Sequence, residues 1–113
     1  MSTNAASAEP VRRALLIRTA LQVLAETRFP IQRAEVLRRV GMRLEFTDYE
    51  LEPFREGSSQ SRWENHLSWA STDMKAAGWI DKTAAGWAIT DAGREALVTH
   101  PDGLGLEVDS ARA

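Results

Sequence analysis

The length, composition and charge of the chain limit what kind of protein it is. Its 113 residues, of which 43% are hydrophobic and 27% charged, suit one globular domain with a single core. The absence of cysteine excludes a disulfide framework and makes the cytoplasm the expected compartment. The first ten residues lack the basic and apolar regions of a secretory signal, and no segment is apolar enough to cross a membrane.

The charges are unevenly distributed along the chain. The net charge of -2 argues against a protein that binds nucleic acids without selectivity. From Glu9 to Glu45, however, there are eight arginines and four glutamates, which leaves a local charge of +4. The acidic residues concentrate in residues 48–52 and in the C-terminal tail. A locally basic surface is therefore expected on a slightly acidic domain.

Two helices are predicted in the first part of the chain. Residues 1–9 are small and polar, and we expect them to be disordered. An amphipathic helix is predicted over Val11–Glu26, opened by Pro10, because apolar residues recur on one face and arginines occupy the other. A second helix is predicted to end at Gly41, and Ile31, between the two helices, is expected to make a one-residue strand contact.

Two capping boxes mark the starts of further helices. Thr47 and Glu50 predict a short turn of helix, and Ser61 and Glu64 open a longer helix that Gly78 ends. We call this longer element the tryptophan helix. Its core stripe is predicted to consist of Trp63, Leu67, Ala70, Met74 and Ala77. Its far side is predicted to carry Asn65, Ser68, Thr72 and Lys75.

A β-hairpin and a last helix are predicted after the tryptophan helix. The hairpin turns at "KTAAG", where Gly86 is available for a positive φ, and Thr90 is expected to cap the helix that follows. Residues 100–113 are expected to form a flexible tail or linker. The fold class is therefore mainly α with a small β-hairpin, and the order of elements over residues 10–99 is that of a winged helix-turn-helix domain.

The stretch from Arg62 to Leu97 also carries a family resemblance. It has an aromatic residue and then Asn65, a Trp-Ala pair on the same helix, an Ala-Gly before a strand, and a Gly-aromatic strand ending in "IT" before a Gly-Arg-Glu helix. In these features it resembles the N-terminal domain of Mrr-type restriction endonucleases. The resemblance covers Leu15–Leu97 in layout and is specific mainly over Arg62–Glu95. His66 departs from the pattern, because arginine is expected at that position.

This resemblance implies a module that binds double-stranded DNA and reads a methylated base for a modification-dependent restriction system. In enzymes of this family a separate nuclease domain cuts the DNA, so a nuclease domain in the full-length protein is an expected partner. No enzymatic activity, cofactor or metal is expected in this chain. Its two histidines, His66 and His100, lack metal-ligand spacing, and no nucleophile-His-acid arrangement is present.

The tryptophan helix is expected to enter the major groove, which admits one helix. The candidate DNA-binding residues precede, lie on or follow it: Ser58, Ser59, Gln60, Ser61, Arg62, Asn65, His66, Ser68, Trp69, Thr72, Lys75, Lys82 and Thr83. Residues 58–60 are expected to donate to phosphates, Arg62 and Asn65 to read bases, and the two wing residues to reach the backbone or the minor groove. The alternative is an ordinary solvated helix face and polar turn.

Trp69 and Trp63 are the candidates for reading a base methyl group. Trp69 either packs against the wing or the first helix, or presents a partly exposed ring to the methyl group. Trp63 lies on the core stripe, which favours the core. N6-methyladenine is favoured over 5-methylcytosine, because Asn65 suits the edge of adenine.

Two other functions stay open on the sequence. The first is that of a small winged-helix transcriptional regulator. The second is that of a winged-helix protein-interaction domain without DNA binding, which the acidic pI of about 5.7 favours.

Overall fold

The computed structural model describes residues 2–101, and the side chains from residue 11 onward. Its elements, in chain order, are α1 (Ser2–Ala25), α2 (Arg33–Gly41), α3 (Asp48–Leu51), α4 (Arg62–Ala76), β1 (Ile80–Thr83), β2 (Gly86–Ile89) and α5 (Asp91–Thr99). The predicted fold class is confirmed: the domain is mainly helical with one two-stranded antiparallel sheet, and α4 is the tryptophan helix. Among the helices described, none combines the length and apolarity needed to cross a bilayer.

Helix α1 begins earlier than predicted, and most of the predicted C-terminal tail lies outside the described residues. Helix α1 begins at Ser2, so it continues through Pro10 and includes residues that we expected to be disordered. Three alanines among residues 5–8 are strong helix formers, which gives that segment a propensity the prediction did not weigh. At the other end, His100 caps α5, and the expected tail beyond Pro101 lies outside the described residues.

Helix α1 lies at the centre of the core. Its buried residues are Ala14, Leu16, Ile17, Thr19, Ala20, Leu21, Val23 and Leu24. Helices α2 and α4 pack against it and bury Val36, Leu37, Val40, Trp63, Leu67, Ala70 and Met74. The predicted stripe of α4 is thus the face that meets the core, with Ala77 half-buried at its end. The ring of Trp63 stacks on Phe46, with 4.4 Å between the ring centroids.

The predicted helix starts are confirmed by their hydrogen bonds. Both capping boxes form: Thr47 with Glu50 at α3, and Ser61 with Glu64 at α4. Each places a carboxylate at a helix N-terminus, where it satisfies a backbone N–H and meets the positive end of the helix dipole. The hydroxyl of Thr90 accepts from the Gly93 backbone N–H at 3.0 Å and so caps α5.

The wing is fastened to the start of α2 by backbone hydrogen bonds. Strands β1 and β2 pair from Ile80 with Ile89 to Thr83 with Gly86. Ile31 makes the one-residue strand contact that its position predicts: its N–H donates to the Trp87 carbonyl at 3.0 Å, and the Trp87 N–H donates back at 2.8 Å. A Cβ on Gly86, whose φ is +130°, would stand 2.3 Å from the Ile31 carbonyl oxygen, so this approach requires glycine.

We predict that Gly86→Ala destabilises the domain more than Gly57→Ala does. Both glycines have a positive φ, but a Cβ on Gly57 has no atom within 4 Å. Gly57→Ala should therefore lower the free energy of unfolding only through its strained φ, by about 1–2 kcal/mol. Gly86→Ala adds a clash with the backbone of Ile31, which must move the wing away from that residue. Urea unfolding of both variants measures the difference. Equal losses in the free energy of unfolding would show that the position of the wing does not depend on the close approach of Gly86 to Ile31.

Candidate nucleic-acid interface

The outward face of α4 presents polar groups and one large aromatic ring. Thr72 and Lys75 are exposed, and Asn65 and Ser68 are half-buried. Trp69 is 67% exposed. At about 100° per residue, Trp69 lies about 120° around the helix from Lys75, so the two residues define opposite edges of this face.

The two tryptophans proposed as methyl readers lie in different environments. Trp63 is only 8% exposed and stacks on Phe46, so it belongs to the core and has little surface to offer a ligand. Trp69, by contrast, leaves most of its ring exposed to solvent. Of the two, only Trp69 is positioned to meet a ligand.

The candidates in the first turn of α4 are engaged with neighbouring residues. The guanidinium of Arg62 lies 4.2 Å from the centroid of the Tyr49 ring, and its Nη1 donates to the Tyr49 hydroxyl at 3.3 Å. Its Nη2 lies 3.5 Å from a carboxylate oxygen of Glu52. This side chain is therefore directed towards α3. Asn65 Nδ2 donates to Gln60 Oε1 at 3.4 Å, a long and therefore weak hydrogen bond. His66 is half-buried.

The residues ahead of α4 form one wall of an open cleft. Ser58 Oγ accepts from the Gln60 backbone N–H at 3.0 Å, and the Ser61 hydroxyl is used in the capping box, whereas Ser59 is exposed. The cleft has a volume of about 410 Å³. Its lining consists of Arg33, Ala34, Leu37, Arg38, Ser58, Ser59, Gln60 and Glu64.

The two wing candidates point back towards the protein. Thr83 Oγ1 accepts from the Ala85 N–H at 3.1 Å and donates to the Gly86 carbonyl at 3.2 Å, which closes the turn. Lys82 Nζ donates to Ser71 Oγ at 2.8 Å and lies 5.1 Å from the centroid of a Trp87 ring. Lys82 therefore lies at the junction of the wing and α4, and its contact with the DNA backbone or the minor groove stays a prediction.

The family of the chain follows from comparison with known proteins. The Mrr N-terminal domain family matches residues 15–99, which is most of the chain. The chain belongs to this family. Membership associates the Mrr N-terminal domain described here with restriction systems, and the matched domain is not the catalytic nuclease domain. No curated protein and no solved structure matches the chain.

Five of the eight arginines in residues 9–45, the basic segment of this Mrr N-terminal domain, form ion pairs with glutamate or aspartate. The ion pairs are Arg12 with Glu50, Arg13 with Asp73, Arg38 and Arg39 with Glu35, and Arg43 with Glu26. The hydrogen bonds from Arg38 and then Arg39 lower the pKa of Glu35 to about 2. The basic surface expected from the sequence is thus largely neutralised within the fold.

Arg33 contacts the outward face of α4, although it was not among the candidate residues predicted from the sequence. It lies in the first turn of α2, and its Nε and Nη2 donate to Ser68 Oγ on α4 at 3.2 and 2.8 Å. A cation in the first turn of a helix opposes the helix dipole, which favours anions there. The contact of Arg33 with Ser68, 35 positions further along the chain, is not visible in the local sequence pattern, which is why the sequence did not indicate it.

We predict that Trp63→Ala and Trp69→Ala affect the stability of the domain differently. Removing the buried, stacked ring of Trp63 leaves a cavity and should lower the free energy of unfolding by about 3–5 kcal/mol. Removing the exposed ring of Trp69 should change it by about 0.5 kcal/mol or less. Thermal and urea unfolding of the two variants measure both values. A Trp69→Ala variant that unfolds like Trp63→Ala would place Trp69 in the core.

Proposed function

We propose that this Mrr N-terminal domain binds double-stranded DNA with α4 in the major groove and reads a methylated base. The observation that carries the proposal is the exposure of Trp69 on the same outward face as the polar groups of α4. Its ring offers an apolar surface that an apolar partner can cover. The methyl group of a modified base provides such a partner next to base edges that polar side chains read.

The residues of the outward face suit different parts of a duplex. Asn65 makes only a weak bond to Gln60, so its amide is available for the edge of adenine, which supports N6-methyladenine over 5-methylcytosine. Arg62 must leave the Tyr49 ring before it reads a base, so it is the less suited of the two. Thr72 and Lys75 are exposed and suit contacts to base edges or phosphates.

In this proposal the domain works with a nuclease domain of a longer protein. The nuclease domain cuts the DNA once the Mrr N-terminal domain has bound the modified site. The absence of cysteine supports a cytoplasmic location, where a restriction system meets DNA. The rival function, protein interaction without DNA, draws support from the acidic pI and from the paired arginines of the basic segment. A gel shift on a duplex at low salt separates the two functions.

We predict that the domain retards a DNA duplex at low salt and releases it as salt is added. Each phosphate contact made by a lysine or arginine displaces counterions, so the logarithm of the affinity should fall with the logarithm of the salt concentration by about 0.9 per contact. Fluorescence anisotropy over a salt series measures the slope. Failure to bind any duplex at low salt would exclude the DNA function.

We predict further that Trp69→Ala lowers the preference for methylated DNA. Burying one methyl group is worth about 0.8 kcal/mol, so the loss of the ring should reduce the ratio of affinities for methylated and unmethylated duplexes of one sequence by about fourfold. Trp69→Phe keeps an apolar ring and should keep most of the ratio. Val98→Ala removes an exposed apolar side chain from α5 and serves as a matched control. An unchanged ratio in Trp69→Ala would show that another residue reads the methyl group.

A further inference from the structure

Three cations from three different elements converge on one edge of α4. Arg33 comes from α2, Lys75 from α4 itself and Lys82 from β1. Two serines of α4 bind two of these cations: Ser68 accepts from Arg33, and Ser71 accepts from Lys82. Lys75 lies one turn after Ser71, and its charge acts on Lys82. The Ser71 hydroxyl also donates to the Ser68 carbonyl at 2.6 Å, so both serines belong to one hydrogen-bonded chain. We call these five residues the cation cluster.

The charges of the cation cluster are not compensated within the fold. In the part of the chain whose side chains are described, none of Arg33, Lys75 and Lys82 forms an ion pair with a carboxylate. Burial, and then the charges of Lys75 and Arg33, lower the pKa of Lys82. This contrasts with the arginines of α1 and α2 that pair with acids. Like charges held together without an anion cost free energy, and an anion that enters recovers it.

Lys82 is held in place before any ligand arrives. Ser71 is only 1% exposed, and its hydroxyl fixes the ammonium at 2.8 Å. The ammonium also lies over the Trp87 ring, at 5.1 Å from the centroid. A lysine restrained in this way loses less side-chain entropy on binding than a fully solvated one. Its two remaining N–H groups, and the donors of Arg33 that Ser68 does not use, are available for an oxyanion.

We propose that the cation cluster is a binding site for a phosphate-type oxyanion, and that in the DNA complex it holds one backbone phosphate beside the wing. The role in DNA rests on the proposed function; the oxyanion site does not. Arg33, Lys75 and Lys82 contact the anion, the Ser68 hydroxyl adds a donor, and Ser71 is a positioning residue for Lys82. Trp69 lies on the opposite edge of α4, so this site orients the domain on DNA without reading the base.

The DNA arm of the test compares charge-removing variants in a salt series. Lys82→Gln and Arg33→Gln should each reduce the salt slope by about 1 and weaken binding by about eightfold at 0.1 M salt. The loss should be equal on methylated and unmethylated duplexes. Arg94→Gln, which removes a charge from α5, is the matched control and should leave the slope unchanged. Ser71→Ala should weaken binding, and Ser71→Thr, which keeps a hydroxyl, should restore it.

The second arm tests the oxyanion site without DNA. Inorganic pyrophosphate, added at constant ionic strength, should shift the backbone amide NMR signals of Ser68, Ser71 and Lys82 in the parent, and should not shift them in Lys82→Gln or Arg33→Gln. Shifts in the parent without DNA binding would uphold the oxyanion site and exclude the proposed DNA function. DNA binding with unchanged slopes in both variants, and no shifts at these amides, would overturn the cation cluster and leave the DNA function standing.

Discussion

The backbone hydrogen bonds between Ile31 and Trp87 are the contact on which the geometry of the candidate interface depends. They join the segment before α2 to β2, two parts of the chain that are more than fifty residues apart. Arg33 follows Ile31 by two residues, and Lys82 is paired with Trp87 across the hairpin. Fixing these two backbones therefore fixes the separation of the segments that carry the two cations, whose side chains then reach Ser68 and Ser71 of α4. Gly86 is the residue that makes the approach sterically allowed.

The balance of charge explains how an acidic domain offers a basic site. Acids neutralise most arginines of the basic segment, so these side chains pack against the fold and contribute little to a long-range positive field. Among the described side chains, Arg33, Lys75 and Lys82 are cations without a carboxylate partner that lie together at one edge of α4. Such a distribution attracts an anion to a defined position, whereas a uniformly basic surface would hold DNA in many orientations. The net charge of -2 is thus compatible with selective binding.

The sequence was sufficient to predict the helices and strands, but not the orientations of the long side chains. Helical periodicity and capping boxes are local patterns, and for that reason the stripe of α4, the caps at Ser61 and Thr90 and the contact of Ile31 were predicted correctly. Arg62 and Lys82 were placed on the right elements, but their orientations depend on Tyr49 and Ser71, which their own segments do not specify. The early start of α1 was missed because a proline was read as a helix start.

The capping box of α4 has a consequence for the angle at which a duplex approaches. The carboxylate of Glu64 binds the backbone N–H and the hydroxyl of Ser61, and so occupies the end of the helix that would otherwise attract an anion. A phosphate that came to this end would meet a negative group. The cations, by contrast, lie along the flank of the helix, level with its middle and last turns. In the DNA complex that we propose, the duplex therefore lies against the side of α4, and an end-on approach, with the helix axis pointing into the groove, is disfavoured.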